Sequence, residues 1–210
     1  MIELVTGGSG SGKSEYAESR VMALARACPS LKKYYLATMI PYGKEGKERI
    51  ERHKKLRKDK GFITLEHPFP SGDLEIKEKG IVLVECLGNL TANEMFSSRI
   101  FLDSQNQWDS SDPGSCRKDP EEHDGALKVE TAEPVEVVAK NTVRWLEELI
   151  KNPLTEHCIL VTNNVFEDGI EYDESTRSYM KALASINIEI SAVADRVTEV
   201  VCGLPLVLKE

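Results

Sequence analysis

The sequence predicts an α/β fold of three layers, with a mostly parallel sheet between helices on both of its faces. Three observations predict it. Short apolar runs alternate with helix-forming stretches along most of the chain, and a glycine-rich loop joins the first run to the first helix. The closing stretch also holds Gly203 and Pro205 between two apolar runs, which predicts a hairpin at the sheet edge.

Taken in order, IELVT (2–6) is the first strand. The loop after it fits G-x-x-x-x-G-K-[ST] as Gly7, then Gly8, Ser9, Gly10 and Ser11, then Gly12, Lys13 and Ser14. A helix over 13–27 follows, with good helix formers and apolar residues at Tyr16, Ala17, Val21 and Leu24. Strand, glycine loop and helix together are the context that distinguishes a phosphate loop from a Gly/Ser turn that binds nothing. Glycines let backbone N–H groups turn inward, and the positive end of the helix dipole adds to the anion site. Lys13 is placed to reach the β- and γ-phosphates of a nucleoside triphosphate, and the Ser14 hydroxyl to ligate Mg²⁺.

Further strands are predicted at YYLAT (34–38), IVLVECL (81–87), CILVTNN (158–164) and VTEVVCGLPLVLK (197–209), the last being the hairpin. Helices are predicted at 45–58, 88–98, 135–151 and 173–193. The stretch from Ser97 to Pro134 departs from this order. It is rich in Ser, Asp, Glu and Pro, too polar to pack as a core element, and reads as a long mobile insertion in a single domain spanning 1–210.

Composition narrows the function. A chain of 210 residues with 40% hydrophobic and 30% charged residues can bury a core, and a net charge of −8 argues against broad nucleic-acid binding. No apolar run approaches the ~20 residues of a membrane span, and no signal peptide opens the sequence, so a cytoplasmic protein is expected. Cys28, Cys86, Cys116, Cys158 and Cys202 follow no metal or disulfide spacing and read as reduced thiols.

A second chemical signal is the basic segment 44–60, with nine Lys/Arg against four Asp/Glu in an otherwise acidic chain. On a helix, Arg49, His53 and Arg57 fall at i, i+4 and i+8, near one face. Flanking cations disfavour the imidazolium, so His53 would stay neutral, with a ring nitrogen free to attack a phosphorus atom held by those arginines. Spacing alone fits an ordinary solvated basic helix as well. Glu85 ends the strand IVLVE, where such folds place an acid near Mg²⁺; a strand-end charge facing water is the other reading. His67, His123 and His157 offer no pairing.

These residues resemble the bifunctional adenosylcobinamide kinase/adenosylcobinamide-phosphate guanylyltransferase family of cobalamin biosynthesis. "LVTGGSGSGKSEYAE" is similar to that family's opening, "YLATM" to its second strand, and "RIERHKKLR" to its R-I-x-x-H-x-x-x-R segment. "GFITLE", "LVECLGNLTANEMF", "LVTNNV", "SINIEISAVADRV" and "VVCGLPLVLK" follow in the family's order, so the resemblance covers most of the chain outside 97–134.

The resemblance implies a P-loop fold of the RecA type and, by position, two reactions using GTP and/or ATP with Mg²⁺. A triphosphate at the loop would phosphorylate adenosylcobinamide. His53 would then take GMP from GTP as a guanylyl-histidine and pass it to adenosylcobinamide phosphate, giving adenosylcobinamide-GDP. Arg49, Arg57, Glu66 and Glu85 would join Gly7–Ser14 in nucleotide binding, with Ser14 and Glu85 serving the metal. The resemblance also implies a homo-oligomer, a trimer, while composition has already argued against a nucleic-acid partner and a membrane span.

Departures from the family pattern gather in the C-terminal half. Asn164 stands where a carboxylate is usual, with Glu167 and Asp168 nearby. Met180, Lys181 and Ala184 interrupt a motif of which only Arg177 and Asn187 remain. Gly46 and Gly88 replace a methionine and a threonine. These losses bear on the kinase step more than on guanylyl transfer. Two other readings of the residues stay open at this point. One is a different P-loop small-molecule kinase with His53 incidental. The other is a non-enzymatic nucleotide switch, against which the lack of an N-K-x-D guanine motif weighs.

Overall fold

A computed structural model describes residues 1–40, 48, 50, 51, 54, 55, 57–72, 74–96, 133–167 and 169–210. The insertion predicted from Ser97 to Pro134 lies almost wholly outside the described residues, as do Arg49, His53, Gly46 and Asp168.

Seven strands form one sheet in the order β3-β2-β4-β5-β1-β6-β7. They are β1 (Ile2–Thr6), β2 (Lys32–Ala37), β3 (Ile63–Glu66), β4 (Gly80–Glu85), β5 (Thr155–Val161), β6 (Arg196–Val201) and β7 (Leu204–Lys209). All neighbours run parallel except β6 and β7, which close as the antiparallel edge hairpin expected from Gly203 and Pro205. The helices are α1 (Lys13–Ala27), α2 (Leu87–Met95), α3 (Val135–Lys151) and α4 (Glu174–Val193). Glu48, Ile50, Glu51, Lys54, Lys55 and Arg57 are also helical, within the predicted 45–58.

Strand periodicity sorts the core into two faces. Val5, Ile81, Leu83, Ile159 and Val161 pack with Ala17 and Val21 of α1. Their neighbours Leu4, Leu36, Val82, Val84 and Leu160 face the other way, onto Leu146 of α3 and Leu183, Ile186 and Ile190 of α4. In α3 the buried residues Val138, Thr142, Val143, Trp145, Leu146 and Leu149 recur at helical spacing, which commits one stripe to the sheet. Asp173 caps α4, accepting from the N–H groups of Ser175 at 2.9 Å and Thr176 at 3.0 Å. The Ser175 hydroxyl, with the N–H and hydroxyl of Thr176, holds its carboxyl well below the usual range.

Several elements differ from expectation: the strand expected over 81–87 ends at Glu85, and Leu87 already opens α2. Residues 158–164 were expected to be all strand, yet β5 ends at Val161, so Thr162, Asn163 and Asn164 form a loop at the carboxyl edge. A strand at 63–66 was not predicted, because ITLE sits at the sheet edge with Ile63 41% exposed and carries no apolar run. Among the described residues, no helix is long and apolar enough to cross a membrane.

Candidate active site

The loop between β1 and α1 lies at the carboxyl edge of the sheet, where parallel strands leave a crevice. Two of its glycines are required by space. A Cβ on Gly7 would stand 2.6 Å from the Val200 carbonyl, and Gly12 holds φ 92° at the helix N-cap with Gly203 Cα 3.3 Å from where its Cβ would be. The turn between β6 and β7 therefore rests on the loop, and the Gly203 N–H donates to the Ser11 carbonyl at 2.8 Å.

Lys13 is buried, and its Nζ donates to the Gly8 carbonyl at 2.9 Å across the loop. Burial lowers its pKa, opposed by the charges of Cys86 and Glu85. The Ser14 hydroxyl donates to Glu85 Oε1 at 2.6 Å. Glu85 Oε2 is buried and has no hydrogen-bond partner. Burial pushes this carboxyl up to about 7, against the Ser14 hydrogen bond and the nearby cations Lys13 and Arg57. One oxygen engaged and one left bare is a costly arrangement without a cation or proton to face it.

Strand order explains how residues 71 positions apart meet. Glu85 stands in one register row with Ala37 of β2 and Glu66 of β3 on one side, and with Val161 of β5 and Val5 of β1 on the other. Residues of one row share a face, so Glu85 points toward α1, whose first turn supplies Ser14. Thr38 fixes the end of β4: its hydroxyl donates to the Glu85 carbonyl at 2.7 Å and accepts from the Cys86 N–H at 2.7 Å.

The structure brings Gly7–Ser14 and Glu85 together, and it places Arg57 and Glu66 less closely, while Arg49 and His53 lie outside the described residues. Arg57 is 7% exposed, its guanidinium 3.4 Å from the centre of the Tyr35 ring, so its charge reaches Glu85 from a buried shelf. Lys60 beside it pairs with Glu18 of α1. Glu66 is exposed at the carboxyl end of β3, two strand spacings (roughly 10 Å) from Glu85.

Sequence reasoning missed a polar cluster on the opposite face of the same edge. The Tyr179 hydroxyl would be 2.9 Å, and the Asn163 amide 3.2 Å, from a Cβ on Gly88, so the glycine at this departure from the pattern makes room for both. Asn163 Nδ2 also donates to the buried Cys86 thiol at 3.8 Å. Burial raises the Tyr179 hydroxyl to about 12. Asn187, retained from the interrupted motif, accepts from the Thr162 hydroxyl at 2.8 Å. Asn164 ties its loop to Gly7, donating N–H to the Gly7 carbonyl at 2.9 Å, while its side chain turns back to its own loop. In the sequence Asn164, Gly88 and Asn187 stood out singly against the family pattern, with no sign that they meet at one edge.

On the β6 side of the loop lies a cleft of about 500 Å³, lined by Gly8–Ser11, the residues after β5, and the end of β6. Among the described residues, no group of three or more His, Cys, Asp or Glu could hold a metal by protein ligands alone. Mg²⁺ in phosphoryl-transfer sites takes one or two protein oxygens and the substrate's phosphates, and the Ser14 hydroxyl with the bare Glu85 oxygen fits that need.

A family model described as cobinamide kinase / cobinamide phosphate guanyltransferase matches residues 3–208, and the chain belongs to that family of cobalamin-biosynthesis enzymes. No curated protein matches it. Among solved structures, the flagellar accessory protein FlaH from Methanocaldococcus jannaschii aligns over 99% of this chain and 77% of its own. Its identity is 13% and its TM-score 0.39, a likeness too loose to add to the family assignment.

Proposed function

We propose, taking that membership as the premise, that the chain carries out both family reactions on adenosylcobinamide and forms a guanylyl-histidine at His53 between them. The observation that carries the reading is the Ser14–Glu85 contact beside the buried Lys13, with the second Glu85 oxygen left bare. In the kinase step, inward N–H groups of Gly8–Ser14 and the Lys13 ammonium hold the triphosphate of ATP or GTP. Ser14 and Glu85 would hold Mg²⁺, which would neutralise charge at the terminal phosphates. The substrate hydroxyl then displaces the nucleoside diphosphate from the γ-phosphorus and releases its proton.

In the second reaction a neutral His53 nitrogen attacks the α-phosphorus of GTP. A P–N bond forms as the bond to pyrophosphate breaks. The phosphate of adenosylcobinamide phosphate next attacks that phosphorus, breaking the P–N bond and yielding adenosylcobinamide-GDP. Arg49 and Glu66 serve this nucleotide. The burial of Arg57 on Tyr35 supports a role in steadying the segment that carries His53. Asn164 offers no carboxylate to the substrate hydroxyl, which leaves Glu85 as the acid nearest Ser14 and supports a kinase step weaker than guanylyl transfer.

Two further features of the reading have support of their own. Every residue of β7 is exposed, with Leu204 69% and Leu208 62%, and this bare apolar edge supports a homo-oligomer, read as a trimer by resemblance. Sedimentation showing only a monomer would overturn that part. Cys28, Cys86, Cys158 and Cys202 are all free thiols, which suits the cytoplasm.

Intact-mass spectrometry after incubation with GTP and Mg²⁺ tests the central step. The expected result is one acid-labile GMP adduct on the wild type and none on His53→Ala. A folded, GTP-binding wild type with no adduct overturns it and leaves a P-loop kinase.

A further inference from the structure

We propose that the cleft on the β6 side of the loop is the base pocket for the triphosphate bound there, and that Glu199 reads guanine in it. The inference rests on the reading of the loop as a triphosphate site and adds the nucleoside end. Its first support is direction. The Ser14–Glu85 contact marks the metal and terminal-phosphate end, and Glu85 belongs to β4. In the sheet order β4-β5-β1-β6, strands β4 and β6 stand on opposite sides of the loop-bearing β1. A triphosphate with its terminal phosphate at Glu85 therefore leads its nucleoside away from β4, toward β6. The cleft of about 500 Å³ opens there, against the backbone of Gly8–Ser11, at a size that suits a nucleoside.

The second support is the chemistry of the walls. Val165 and Val201 give apolar flanks for a flat ring, and Glu167 and Glu199 give acceptors that repel phosphate and favour N–H donors. Glu199 sits on the rigid end of β6, half-buried, paired in register with Thr6. Its neighbour Thr198 faces the α1 side, donating its hydroxyl to Glu3 at 3.2 Å. Strand alternation turns Glu199 to the side opposite Thr198, it lines the cleft, and among the described residues its carboxylate has no hydrogen-bond or ion-pair partner. Glu167 is exposed on a loop, so Glu199 is the better fixed of the two. Guanine offers adjacent N1–H and N2–H donors that match the two oxygens of one carboxylate. Adenine offers N6–H beside the N1 lone pair, which a carboxylate repels.

Competitive binding to the full chain in Mg²⁺ tests this, using GTP, inosine triphosphate, xanthosine triphosphate and inorganic tripolyphosphate. Only the binding that Lys13→Ala removes is counted. Wild type is expected to bind GTP roughly tenfold more tightly than the inosine nucleotide, which lacks the N2 amine, and xanthosine triphosphate more weakly still. Glu199→Gln should bring GTP and inosine triphosphate within about twofold while tripolyphosphate affinity stays unchanged. A GTP-to-inosine ratio in Glu199→Gln equal to that of wild type overturns the assignment. GTP and tripolyphosphate binding that survives Lys13→Ala overturns instead the loop reading beneath it, whatever Glu199 does.

Discussion

Glu3 of β1 and Glu85 of β4 both point from the sheet toward α1, yet their surroundings are opposite. Glu3 is fully buried near the start of its strand and receives the Arg20 Nε at 2.9 Å, the Tyr16 hydroxyl at 2.9 Å and the Thr198 hydroxyl at 3.2 Å, with the Arg196 Nε at 3.5 Å. Glu85, at the other end of the sheet, receives Ser14 on one oxygen and nothing on the other. A carboxylate that is saturated with donors holds the fold together. One left half-satisfied is poised for something the chain does not itself supply.

The largest effect is expected from breaking the saturated site. Glu3→Gln keeps the shape but leaves Arg20 and Arg196 facing an amide, at a cost of about 3 kcal/mol, the low end for a broken buried pair because both arginines reach solvent. For a chain of this length that lowers the melting temperature by roughly 6–12 °C in a thermal scan. A shift under about 2 °C would show that the network contributes little.

The poised site should give its signature in pH. Glu85 titrates at about 7 when folded and near 4.5 when not, so between those values the folded chain retains a proton that the unfolded chain has lost. Unfolding free energy therefore falls as pH rises through that window, by no more than about 3 kcal/mol, and stays low above it. Glu85→Gln should flatten the slope, melting no lower than wild type at pH 8 while losing nucleotide turnover. Parallel melting curves for the two proteins from pH 5 to 8 would erase the contrast drawn here.

The smallest change sharpens it. Tyr16→Phe removes one of several donors to Glu3, so about 1 kcal/mol of stability is expected to go, with nucleotide affinity unchanged in the same preparation.

The contrast also shows what a sequence can and cannot disclose. The strand, loop and helix from Ile2 to Ala27 were legible because apolar period, glycine spacing and helix formers all act within a few residues of one another. The closing hairpin was legible for the same reason, through Gly203 and Pro205. Strand β3 was not, since a short exposed edge strand buries too little to need an apolar run. Glu85 could be suspected from its strand end, but its bare oxygen depends on Ser14, Thr38 and the packing of α1. Glu3 gave no signal, because Arg20 lies 17 residues away and Thr198 lies 195. The Glu199 cleft joins the phosphate loop, the loop after β5 and the end of β6, and exists only once the sheet has formed.

The central place of β1 has a consequence for how the chain comes to be folded. Its partners are β5 and β6, beginning at Thr155 and Arg196, and the loop after it is braced by Gly203. Made before both partners, β1 must therefore wait, unpaired and apolar, for strands synthesised on the order of ten seconds or more later at ordinary elongation rates. Long-range parallel pairing of this kind slows folding and leaves the exposed strand open to capture, so chaperone supply during synthesis is expected to govern the yield of this enzyme.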